Sequence, residues 1–274
     1  LNREAVATEL KHMHNEIVKT RTFVDMVQMK AHENARLHHL TKHPEDTVVF
    51  IIVRDRLEIM KGLLAWLESQ GLSKIVFVDN DSRLPPLAEF LKNTEYQVLE
   101  MGRNTRQSGI WDAGIIRVLL PDDFYIATDP DIVPTLNNKD VLKHLYDVHN
   151  RHPYHLKVGL GLKIDDLPDY YPLKPDVIKW ESQFWKHELE PGLYEAGVDT
   201  TFALYKPYTY SYIIHPSVRT GEPYTARHIP WYTKADELSD EEVFYRLRLD
   251  QNVNTWNKEH LPERYKIELA KQNS

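Results

Sequence analysis

From Leu10 to about Ala31, apolar residues fall at Leu10, Met13, Ile17, Val24, Val27 and Ala31. Spacings of three, four and seven put them on one stripe of a helix. This predicts an N-terminal helix that either packs on its own domain or serves as a dimerising or docking helix. After Pro44 the period changes. Val48 to Val53 is an unbroken apolar run of strand length, Leu57 to Ser69 reads as a helix, and Gly71 stops that helix. Lys74 to Val78 then reads as a strand, Leu84 to Asn93 as a helix, Tyr96 to Met101 as a strand, Ile110 to Leu120 as a helix and Phe124 to Thr128 as a fourth strand. Short apolar strands joined by helical crossovers predict an α/β fold with a mainly parallel sheet covered on both faces, preceded by an N-terminal helical extension over 1–44.

Beyond Pro134 the texture shifts. A helix is expected from about Lys139 to Asn150, and then aromatic and proline residues crowd the chain, among them Tyr170, Tyr171, Trp180, Trp185, Tyr212 and Trp231. Such rings fill cores and also stack on the apolar faces of sugars. Ser239-Asp240-Glu241-Glu242 is a capping-box pattern that opens a late helix. The domain over 45–274 therefore falls into two parts, 45–135 and 136–274.

Composition narrows the classes. The net charge of -7 gives no global basic field for a nucleic-acid backbone, so no nucleic-acid partner is expected. With no cysteine there are no thiolate ligands, nucleophiles or disulfides, which fits a reducing, cytoplasmic setting, with peripheral association at a membrane left open. No apolar run is long enough to cross a bilayer. Six histidines between His12 and His43 follow no metal-ligand spacing.

In a parallel sheet, ligands bind outside the carboxyl ends of the strands. Those ends are all polar here: Arg54-Asp55-Arg56, Asp79-Asn80-Asp81-Ser82, Gly102-Arg103-Asn104 and Asp129-Pro130-Asp131. On a strand, carboxylates at i and i+2 share a side, so Asp129 and Asp131 need a partner: a divalent cation, a shared proton or water. As hard oxygen donors they suit Mg²⁺ or Mn²⁺ carrying substrate phosphates. The same five residues, Asp129 to Val133, satisfy the D-x-D-x-[TV] pattern of haloacid-dehalogenase-like phosphatases, with Asp129 as nucleophile and Asp131 as acid/base. That family carries its motif on the first strand, whereas three strands come before it here. A structural role, capping the following turn, is the third reading.

Val76-Phe77-Val78-Asp79-Asn80-Asp81-Ser82 and Ala127-Thr128-Asp129-Pro130-Asp131, with the aromatic second half, resemble the GT-A fold of nucleotide-sugar glycosyltransferases, most like the broad family 2 type, over roughly Thr47 to Trp231. The resemblance implies a Rossmann-like nucleotide-sugar-binding half over 45–135 and an acceptor-binding half over 136–274. It implies transfer of a sugar, from UDP in the first instance, to a glycan or glycolipid hydroxyl in polysaccharide biosynthesis. Arg54, Asp55, Asp79, Asn104, Arg106 and Asp129 would contact the donor, and Asp129, Asp131 and a late His228 would hold the metal, the imidazole tilting the choice toward Mn²⁺. An inverting transferase needs a carboxylate base after the metal strand, and Asp165, Asp166, Glu181, Glu195 and Asp199 are the candidates. Asp199, flanked by Gly197 and two threonines, is the choice, with Asp165, Asp166, Glu181 and Trp180 assigned to the acceptor. A retaining outcome stays open. A noncatalytic carbohydrate-binding module using the same aromatics is the other alternative.

Overall fold

The computed structural model describes residues 3–249 other than Lys139 and Thr200, with side chains from residue 11 onward. The predicted N-terminal helix is longer than its apolar stripe, running as α1 over Arg3–Lys42. Its residues 11–32 are exposed, and only its last turns pack on the domain. There Leu37 and Leu40 enter the core, Arg36 makes a two-pronged ion pair with Asp123 at 2.9 and 2.6 Å, and Lys206 meets Glu33 at 2.8 Å.

Helical crossovers force their flanking strands to run parallel. Accordingly β1 (Val48–Val53), α2 (Glu58–Ser69), β2 (Ile75–Asp79), α3 (Pro85–Asn93) and β3 (Gln97–Glu100) alternate as the sequence predicts. The helix expected over 110–120 is broken into α4 (Gly109–Asp112) and α5 (Ile115–Leu119). The break falls at Gly114, whose φ of 72° lies in the left-handed region that glycine enters without a Cβ clash. β4 (Tyr125–Thr128) then inserts beside β1. Within β1 the alternating residues face opposite layers. Val49, Ile51 and Val53 join one apolar cluster with α2 and α3, and Phe50 and Ile52 join another with Ile110, Trp111 and Ile116. Covered on both faces, the strand is apolar throughout instead of alternating.

After β4 the strict strand–helix alternation ends. β5 (Ile132–Pro134), α6 (Asp140–Arg151), β6 (Lys157–Leu162) and α7 (Lys174–Glu181) lead to β7 (Glu188–Glu190), β8 (Leu193–Glu195), β9 (Ala203–Tyr205), the long β10 (Ser217–His228) and α8 (Asp240–Leu247). The ten strands of the described residues form one sheet in the order β3-β2-β1-β4-β9-β6-β10-β8-β7, with β5 on β10. The expectation of a mainly parallel sheet holds for β3-β2-β1-β4 and is corrected beyond it. β9 runs antiparallel to both β4 and β6, β7 and β8 are a hairpin turned at Gly192, and only β6 and β10 run parallel. The tight β7–β8 turn makes that pair antiparallel, whereas β9 enters between β4 and β6 from far along the chain, where no helical crossover fixes its direction. No helix among the described residues is long and apolar enough to cross a membrane.

Candidate active site

Register brings the strand ends level. Val53 lies beside Asp79, Asp79 beside Glu100, and Ile51 beside Thr128. Above this edge lies a cleft of about 820 Å³. One wall carries Arg54, Asn80, Asn104 and Arg106, the floor carries Asp129, Pro130 and Asp131, and the far wall carries Trp180, Glu181, Asp199 and Arg219.

The floor is a turn. β4 ends at Thr128, so the strand alternation expected to put both carboxylates on one side does not apply, and the two differ in burial. Asp129 is half-buried, whereas Asp131 is 4% exposed. β5 then pairs antiparallel with the end of β10, setting His228 opposite Ile132 and its Nε2 3.3 Å from Asp131 Oδ2. That same oxygen accepts a hydrogen bond from Arg56 Nη1 at 2.5 Å. Arg56 also donates to Glu242 from Nε and Nη2, at 3.0 and 2.9 Å, and lies 3.7 Å from the centre of the Tyr245 ring. Arg246 reaches Glu242 at 2.7 Å, and the capping box places that glutamate, with Ser239 accepting from the Glu242 N–H. Burial opposes the Asp131 charge, but His228 and Arg56 outweigh it and hold the carboxyl down at about 2. Burial likewise opposes the Arg56 charge, and Tyr245, Glu242 and Asp131 reverse the balance, raising its pKa.

Asp131 Oδ1 is buried without a hydrogen-bond partner among the described residues, as is His228 Nδ1. A buried carboxylate oxygen left unpaired costs free energy unless a ligand or cation satisfies it. In donor type, Asp131 Oδ1 with Asp129 on the same turn fits a hard divalent cation that takes its remaining ligands from a diphosphate. The expected set of Asp129, Asp131 and His228 is nevertheless not gathered as such. Among the described residues no group of three or more His, Cys, Asp or Glu side chains is placed to hold a metal, and the His228 Nε2 faces Asp131 itself.

On the first wall, Arg54 and Arg106 supply positive charge, and Arg54 Nη2 donates to the Arg248 carbonyl at 3.1 Å. Asn80 pins the loop after β3. Its Oδ1 accepts from the N–H and hydroxyl of Thr105 at 2.6 and 2.8 Å, and its Nδ2 donates to the Arg106 carbonyl at 3.0 Å. Asn104 Oδ1 accepts from the Arg106 N–H at 3.0 Å, fixing the same loop. Asp55 and Asp79, expected to face the nucleoside, do not line the cleft. Asp55 is fully buried, and its Oδ1 accepts the N–H groups of Arg83 and Leu84 at 2.5 and 2.8 Å, closing the entry to α3. Asp79 Oδ1 accepts from the Ser82 N–H at 3.0 Å.

On the far wall, Trp180 is 54% exposed and lies at the end of α7. Glu181 is buried and accepts from Arg219 Nη1 at 2.6 Å, and the Arg219 guanidinium lies 4.3 Å from the Phe184 ring centre. Asp165 and Asp166, assigned to the acceptor, lie outside the cleft. Asp165 pairs with Lys163 at 2.8 Å, while Asp166 is held by Arg227 and by the Tyr232 hydroxyl at 2.5 Å. Asp199 is exposed on the cleft. The neighbouring wall is anchored by Lys157, fully buried at the start of β6, whose Nζ donates to the Val198 carbonyl and, at 2.5 Å, to the Tyr212 carbonyl. Burial pushes the Lys157 amine down to about 8, with Asp199 opposing and Arg219 assisting.

Arg56, Glu242, Tyr245, Arg219 and Lys157 all shape the site, and none of them was assigned to it from the sequence. Arg56 carried a signal, since it belongs to the first polar strand end. Lys157 carried none, because a lysine opening an apolar strand normally keeps its amine in water.

No protein-family model matches the chain, and no curated protein matches it. Among solved structures, HddC from Yersinia pseudotuberculosis complexed with GMP-PN is similar at 14% identity and a TM-score of 0.32, over 44% of this chain and 60% of that one. The match thus spans less than two thirds of HddC, and a likeness of this degree carries no functional argument.

Proposed function

We propose that this protein is a metal-dependent glycosyltransferase that moves a sugar from a nucleoside diphosphate, UDP being the expected one, to a carbohydrate hydroxyl. What carries this reading is the composition of one cleft. A turn with two carboxylates, one bearing an unpaired buried oxygen, lies between a cationic wall and a wall with an exposed indole and an exposed carboxylate. Arg54 and Arg106 attract and orient the diphosphate, and Asn80 holds the loop that presents Arg106. When bound at Asp131 and Asp129, a divalent cation supplies Lewis-acid neutralisation of the departing diphosphate. Trp180 offers a flat apolar face to the acceptor ring. Asp199 accepts the proton of the attacking hydroxyl as the new glycosidic bond forms and the bond to the diphosphate breaks, giving inversion. The lack of cysteine fits a reducing compartment where such donors are made.

The test is thermal unfolding with UDP, with and without Mn²⁺, followed by a screen of nucleotide sugars for released UDP. A ligand that binds only the native state at ~100 times its Kd adds about 2.7 kcal/mol of stability, so a metal-dependent rise in Tm is expected. Asp199→Asn is expected to keep that rise and lose UDP release. No stabilisation by UDP in either condition overturns the proposal. Phosphate release from a generic phosphomonoester, abolished by Asp129→Asn, would replace it with the phosphatase reading. Glycan binding without donor turnover would replace it with the module.

A further inference from the structure

We propose that residues 10–31 of α1 form a two-stranded coiled coil with a second copy of this chain, an interaction independent of the cleft. Three observations support it. First, the helix is rooted but uncovered. Leu37, Leu40, the Arg36–Asp123 pair and the Lys206–Glu33 pair fix its last turns to the domain, whereas residues 11–32 are exposed along their whole length. At 1.5 Å per residue the uncovered part extends about 30 Å. In proteins most helical stability comes from packing of an apolar face, and the described residues of the domain leave this stretch uncovered.

Second, the apolar residues of this stretch keep a heptad in the sequence. Leu10, Ile17, Val24 and Ala31 occupy a positions, and Met13, Thr20 and Val27 occupy d positions, an unbroken 3-4 alternation with Thr20 its single polar member. Met13 is 53%, Ile17 63% and Val27 51% exposed. Phe23, at a g position, widens the seam, while Val18, Met26 and Met29 lie outside it.

Third, the flanking charges complement a second copy. In a parallel pair, Glu16 at g meets Arg21 of the partner subunit at e. In an antiparallel pair that sets Ile17 against Val27 of the partner subunit, Glu16 lies beside Lys30 of the partner subunit. Both arrangements give Glu16 an opposite charge on the partner, in addition to Lys19 of its own chain at 2.9 Å.

Sedimentation velocity on the full chain tests the idea. The wild type is expected to sediment as a dimer. Ile17→Asp with Val24→Asp is expected to abolish the dimer while leaving the Tm of the domain unchanged, because neither side chain touches it. Glu16→Lys is expected to weaken self-association, and combining it with Arg21→Glu and Lys30→Glu to restore it. A wild-type monomer at the highest attainable concentration overturns the proposal, as does a dimer that survives the double aspartate change. A monomeric chain that instead binds anionic phospholipid vesicles through this helix overturns it too. UDP-dependent stabilisation, measured on the same double variant, separates failure of this proposal from failure of the transferase reading.

Discussion

Arg56 is the residue on which the floor of the cleft depends. Its guanidinium satisfies two buried carboxylates, Asp131 and Glu242, and lies against the Tyr245 ring. Removing one partner of a buried pair leaves the other charge uncompensated, so Arg56→Ala is expected to cost about 3–5 kcal/mol, measured by urea unfolding. The same cluster sets acid stability. Asp131 is held at about 2, below its ordinary value of 3.8, so its contribution is present above roughly pH 4 and is lost as pH falls through about 2. His149 acts at higher pH. Burial pushes its imidazole down to about 3, with the Leu204 carbonyl opposing and Lys206 assisting. The unfolded chain takes up that proton below about 6.5 while the native chain refuses it, so stability is complete above that pH and declines as pH falls toward 3. Thermal melts at successive pH values are expected to show this decline, with a shallower slope in His149→Gln. Arg56 and Lys157 also show what a sequence conceals. Each is a cation whose role depends on carboxylates or carbonyls supplied from distant segments, Glu242 lying far along the chain from Arg56, and no local pattern encodes that meeting.

At the scale of elements, the long strand β10 does most to assemble the site. Between Thr220 and Thr225 its pairing with β6 slips, and the strand thereby carries Arg219 to the far wall and His228 to the floor. Gly161 sits on β6 at this slip, where an added Cβ would come 2.4 Å from the Thr220 carbonyl oxygen and 2.3 Å from the Trp185 ring. Gly161→Ala is therefore expected to destabilise by about 1–3 kcal/mol, as overpacking does, and, for the transfer proposed above, to lower donor turnover beyond what the stability loss explains. Denaturant unfolding and released nucleotide, measured on the same variant, check both parts. Asp55 marks a different kind of element-scale outcome. A charged residue at a strand end suggested ligand contact, yet its buried carboxylate accepts the Arg83 and Leu84 N–H groups just before α3 and fixes the approach to that helix. Strand-end position alone does not separate such a structural carboxylate from a ligand contact, because both use a carboxylate at the same place.

Across the whole molecule, one sheet and one large apolar cluster run through both parts of the domain, joined where β4 pairs with β9. Unfolding is accordingly expected as one cooperative transition, with near-UV and far-UV circular dichroism giving coincident midpoints; two resolved midpoints would contradict it. The sequence by itself determined the first four strands, the helices α2 and α3, the polar edge they create and the heptad of α1, because each follows from short-range periodicity or from helical connections that dictate parallel neighbours; the break of the next helix at Gly114 was not foreseen. Tertiary structure alone decided that β9 enters antiparallel beside β4, that His228 returns to Asp131, that Arg56 occupies the carboxylate between them, and that Asp165 and Asp166 stay outside the cleft. Those outcomes rest on pairings between segments tens of residues apart, and such pairings are set by which strand edges and buried charges remain unsatisfied once the local elements have formed, a quantity defined only in three dimensions.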